Sequence, residues 1–89
     1  MSYNGWPNYE TWNVSLWLNN EPSTYYELCT ILESDDDDYT AGKTIRNMVE
    51  EMNPLAESSS MFSDLISAAL SKVDWDEIAR ANREEDDSE

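Results

Sequence analysis

Chemistry at neutral pH needs a nucleophile, a base and an acid, and this chain is poor in the second. It has no histidine, the commonest general base. Its one cysteine, Cys29, falls on the apolar stripe Tyr25, Leu28, Cys29, Leu32, where a free thiol packs like a small hydrophobe. Ser58, Ser59 and Ser60 have no base partner in the pattern and read as linker and helix cap. Carboxylates abound, with Asp plus Glu at 20 against Lys plus Arg at 5. No pair among them is marked out as the acid and base of a glycosidase. The expectation is a protein without catalytic residues and without a cofactor.

The run Asp35–Asp38 invites a metal reading. An EF-hand loop opening at Asp35 would need an oxygen ligand at Tyr39, glycine at Thr40 and glutamate at Arg46. All three fail, and moving the register by one repairs none of them, so no metal site is expected. Aromatic side chains can stack on single-stranded bases, but that mode also needs a positive groove. No Lys or Arg precedes Lys43, so direct nucleic-acid binding is not expected. An acidic membrane surface would also repel the chain.

The acidity itself is the remaining candidate. The net charge is -15, and duplex DNA carries one charge per roughly 1.7 Å of axis, so the charge matches about 25 Å of duplex. A compact domain of this length is roughly 30 Å across. Carboxylates four residues apart on a helix rise about 6 Å, close to two steps of a DNA strand. The charge can thus imitate a phosphate backbone, or it can serve solubility or a salt-adapted host. If it is an interface, the candidate partner-binding residues are Glu33, Asp35, Asp36, Asp37, Asp38, Glu50, Glu51, Asp74, Asp76 and Glu77.

The elements that would position them are helices. The pattern predicts an all-α single domain over 1–83, of four to five short helices, with an acidic disordered tail at 84–89. Gly5 and Pro7 make a lead-in turn. Asn8 caps a first helix, Tyr9–Asn19. Tyr9, Trp12 and Leu16 lie along one side of it, and Val14, Trp17 and Leu18 widen the apolar arc. A helix apolar over most of its surface is expected at the centre of the domain, with Trp12 buried. Thr24-x-x-Glu27 reads as a capping box for a second helix, Thr24–Glu33. Asp35–Asp38 reads as a loop, since four adjacent carboxylates repel. Thr40 is expected to cap a third helix, Ala41–Met52, buried along Ala41, Ile45, Met48, Val49 and Met52. Asn53-Pro54 stops it. Ser60 caps a fourth, Met61–Lys72, with Phe62, Leu65, Ile66, Ala69, Leu70 and Val73 inward. Asp74-x-x-Glu77 opens a short fifth, with Trp75, Ile78 and Ala79 inward. A lone cysteine, no signal peptide pattern and no long apolar run lead to the expectation of a soluble protein of the host cytoplasm.

Two stretches carry a resemblance. The run Tyr3-Asn4-Gly5-Trp6-Pro7-Asn8-Tyr9-Glu10-Thr11-Trp12-Asn13-Val14-Ser15-Leu16-Trp17 resembles an N-terminal signature of small phage, plasmid and mobile-element proteins. Leu70-Ser71-Lys72-Val73-Asp74-Trp75-Asp76-Glu77-Ile78-Ala79 resembles a second segment that accompanies it. The resemblance implies an accessory gene of a virus or mobile element and supplies no catalytic residues. Such elements benefit from blocking host defences. The expected function is therefore inhibition of a host nucleic-acid-binding defence protein, of the anti-CRISPR or anti-restriction type, by an acidic face docked in its basic groove. The rival expectation is an assembly module of a virion or mobile element that uses an aromatic patch.

Overall fold

The computed structural model describes residues 5–35, 37–55 and 59–87, with side chains to Arg83 in the last stretch. The described residues form an all-α fold of five helices: α1 Tyr9–Asn20, α2 Pro22–Ser34, α3 Asp38–Met52, α4 Met61–Ser71 and α5 Trp75–Asp87. Helix α5 thus runs on into the stretch that charge alone assigns to a tail.

The centre is the pair α3 and α5, which make the most extensive helix–helix contact, while α1 packs on α2 and α5. Gly42 makes the pairing close. A Cβ added there would lie 2.7 Å from Asp76 Oδ1, 3.0 Å from Asp76 N and 3.0 Å from Trp75 C. Only a hydrogen fits between α3 and the first turn of α5. The core then fills with Leu28, Ile31 and Leu32 of α2, Ala41, Ile45 and Met48 of α3, and Ile78 and Ala79 of α5, with Leu18 and Val73 at its edges.

Helix α1 is set differently from the expectation. Its buried residues are Thr11, Ser15 and Leu18, while Tyr9, Leu16 and Trp17 face solvent and Trp12 is half-buried. The physical reason is a set of polar ties. Asn8 Oδ1 accepts from the Thr11 backbone N–H and from Thr11 Oγ1, and Asn8 Nδ2 donates to Lys72 O at 2.7 Å. Thr11 Oγ1 in turn accepts from the Asp74 backbone N–H at 2.9 Å. The two stretches that carry the family resemblance are joined here. Small side chains on the inward stripe let α1 sit close to that junction, and the rings are left at the rim. Thr11→Val keeps the shape but leaves the part-buried Asp74 N–H without its acceptor, so it should lower stability by about 1 kcal/mol in chemical denaturation.

Three further boundaries and faces shift. Pro22 occupies the first turn of α2, so that helix begins two residues before the expected cap. Thr24 then lies inside the first turn and donates back to Leu18 O and Glu21 O. In α3 the cap is Asp37, whose carboxylate accepts from the Thr40 N–H, and Asp38 is already helical. Helix α4 has its expected cap, a reciprocal Ser60–Ser63 box, yet buries none of its residues. Phe62, Leu65 and Ala69 are exposed, Ile66 and Leu70 are only partly covered, and Met52 at the end of α3 is exposed as well. Among the described residues no helix is long and apolar enough to cross a membrane.

Candidate functional site

The sequence places aspartates at two helix starts, and Gly42 brings those starts together. Carboxylates are favoured at a helix N-terminus, where backbone N–H groups are unpaired and the dipole is positive. Asp37 caps α3, and Asp74 Oδ1 accepts from the Glu77 N–H at 3.2 Å at the start of α5. Asp38 follows the first cap by one residue and Asp76 the second by two. The result is an acidic corner of Asp37, Asp38, Asp74 and Asp76, flanked by Asp35.

One cation braces it. Arg83 donates from Nε to Asp38 Oδ1 at 3.0 Å, from Nη1 to Leu32 O at 2.9 Å and from Nη2 to Asp35 O at 3.1 Å. It therefore closes the end of α2 and anchors the start of α3 with one planar fork. Asp35 Oδ2 accepts from Thr44 Oγ1 at 3.0 Å, which holds the connection between α2 and α3 against the second turn of α3.

The corner is electrostatically uneven. Hydrogen bonds from Thr40 hold the Asp37 carboxyl below its ordinary value of 3.8. Asp76 goes the other way: loss of water where it meets α3 raises its carboxyl above 3.8, and the charges of Asp74, Asp38 and Asp37 add to the rise. Folded Asp76 thus binds its proton more tightly than the unfolded chain does. Ionised Asp76 subtracts stability at neutral pH, and that loss is relieved as pH falls through the raised value towards 3.8. Asp37 has the opposite sign. Its contribution is present above 3.8 and disappears as pH falls through its lowered folded value. Asp76→Asn should therefore raise the melting temperature at neutral pH, and its advantage over the parent should shrink on acidification. A pH series of thermal melts checks both.

The remaining candidates lie elsewhere. Glu33 is exposed near the end of α2, and Glu77 is ion-paired with Arg80. Glu50 pairs with Arg46 at 3.1 Å, and Glu51 beside it is exposed. Both sit about 18 Å along α3 from its acidic start, at 1.5 Å per residue. The nine described candidates thus divide into a corner of five, a distant pair, and Glu33 and Glu77 apart from both, not one continuous face; Asp36 lies outside the described residues. Among the described residues no three metal-ligating side chains converge on a point. Cys29 is partly buried and free.

An aromatic surface lies on α1. Trp17 is 62% exposed and Tyr9 51% exposed, and the Tyr9 and Trp12 rings stand 5.6 Å apart and tilted by 43°. Trp6, Trp12, Ser15, Leu16, Asn19 and Asn20 line an open groove of about 240 Å³. The sequence reading placed the rings of α1 inside because that helix is apolar nearly all round, and left Trp6 partly exposed, as it is. The usable signal was that Thr11, Val14, Ser15 and Leu18 also follow the helical template, with side chains small enough for close docking.

No curated protein and no solved structure matches the chain. Residues 1–87 match the model of a family of unknown function, DUF7249, and the chain belongs to that family.

Proposed function

We propose that this protein is a non-enzymatic inhibitor encoded by a phage or mobile element. It blocks a host nucleic-acid-binding defence protein, a CRISPR effector or restriction enzyme, by seating its acidic corner in the basic groove that otherwise holds DNA. The observation that carries this reading is Asp76. Asp37 and Asp74 serve as helix caps, and Asp38 is bound by Arg83. Asp76 has no such role: it is exposed, and partial loss of water against α3 together with the like charges of Asp74, Asp38 and Asp37 disfavours its ionised form. A group whose placement works against the fold is a functional candidate.

The imitation is local. The long dimension is 43 Å, so a net -15 averages one charge per roughly 3 Å, about half the density of duplex. The like charges that act on one another gather where the starts of α3 and α5 converge. The triple variant Asp37→Asn, Asp74→Asn, Asp76→Asn tests this. Asparagine caps helices as well as aspartate does, so the fold should persist. Affinity for the effector should fall about tenfold, because each of the three interfacial carboxylates contributes about 0.5 kcal/mol, and the salt dependence of binding should flatten. Unchanged affinity and salt dependence would remove the corner from the interface.

The exposed side chains of Tyr9, Leu16 and Trp17 favour a second reading, the assembly module. In that case Trp17→Ala abolishes partner binding, salt has little effect, and the triple variant binds normally.

A further inference from the structure

Helix α4 is apolar over two adjacent stripes, and the body of the protein uses one of them. Ile66 and Leu70, with Val73 just beyond the helix, turn towards α3 and α1, where Leu70 lines one cavity with Val14 and Tyr9 and another with Val49 and Met52. The second stripe is Met61, Phe62, Leu65 and Ala68, bordered by Ala69, which is exposed and also lines the cavity beside Tyr9 and Val14. Met61 is 66%, Phe62 61% and Leu65 59% exposed. These side chains leave on the order of 400 Å² of apolar surface in water, the size at which a patch marks an interaction site.

Charge selects the occupant. The net charge is -15, yet residues 59–73 hold only Asp64 and Lys72, which cancel. This is the face through which two copies of so acidic a body can approach with the least repulsion. Its features are also self-complementary. Met61, Phe62 and Leu65 fill the first half of the stripe and Ala68 and the bordering Ala69 the second, so a two-fold antiparallel pairing sets large side chains against small ones.

We infer that the protein self-associates through α4 as an antiparallel dimer. The patch is about half the roughly 800 Å² per partner of a standard stable interface, so the dimer is weak and concentration-dependent. This inference stands apart from the inhibitor reading and has the opposite salt signature. Effector binding weakens as salt rises, while self-association strengthens as repulsion between the two bodies is screened.

Sedimentation equilibrium of the full chain, from micromolar to millimolar protein at low and high salt, tests it. The expected result is a monomer–dimer equilibrium that tightens with salt. Leu65→Glu should weaken it at least tenfold while leaving the helical circular dichroism unchanged, since Leu65 supports no other contact of the core. Orientation is read from crosslinking in a Cys29→Ala background. Met61→Cys protein mixed with Ala69→Cys protein should form disulfide heterodimers faster than either forms homodimers. A monomer at every concentration and salt would overturn the inference. So would a dimer that Leu65→Glu leaves intact, or faster crosslinking of Met61→Cys to itself. Loss of effector binding in Leu65→Glu, with the parent monomeric throughout, would also overturn it and assign the stripe to the target.

Discussion

Gly42→Ala should destabilise the domain by about 3 kcal/mol, the range for overpacking a tight contact. In an exposed helix the same change is favourable by about 1 kcal/mol, so the sign of the result is itself informative. The new methyl would sit 2.7 Å from Asp76 Oδ1, and that side chain can swing away. It would also sit 3.0 Å from Asp76 N and Trp75 C, which are backbone and cannot move without parting α3 from α5. The melting temperature should fall by about 15 °C, given 4–8 °C per kcal/mol for a domain of this size. Adding Asp76→Ala should recover only the side-chain part of the loss. A Gly42→Ala protein as stable as the parent would contradict the central helix pair.

Arg83→Ala should lower stability by about 2–3 kcal/mol. The change removes three hydrogen bonds at once, to Asp38, Leu32 and Asp35. It leaves two carbonyls at the end of α2 without that donor and the acidic corner without the cation that braces Asp38. Arg83→Lys should rescue little, since one ammonium cannot span acceptors that a planar fork reaches together. Denaturant melts of the two variants check this. Full rescue by lysine would mean that charge alone, and not the three-way geometry, holds the corner.

Much of the architecture was legible in the sequence. Asn8, Ser60 and Asp74 each announced a helix start because a short polar side chain before an apolar-periodic run has one main use. The stripes of α3 and α5 were legible at Ala41, Ile45, Met48, Ile78 and Ala79 because each has a polar opposite face. Helix α1 lacked that contrast. With rings on nearly every side, its orientation was decided by hydrogen bonds from Asn8 and Thr11 to residues sixty and more positions away, which periodicity does not encode. Helix α4 read as buried because it is apolar, yet it turns only one of its two stripes inward. The acidic corner was half legible. Asp35–Asp38 and Asp74–Glu77 stood out as charge runs, but their convergence depends on the missing side chain at Gly42, and Glu50 and Glu51 were grouped with them on charge alone.

The most direct test is competition for one groove. A purified CRISPR effector or restriction enzyme from a host is loaded with labelled duplex, and the protein is titrated in at low and then high salt. Displacement of the duplex, competitive with added unlabelled duplex and weakening as salt rises, is the predicted result. A ternary complex holding both the duplex and this protein, with neither displacing the other, would contradict it.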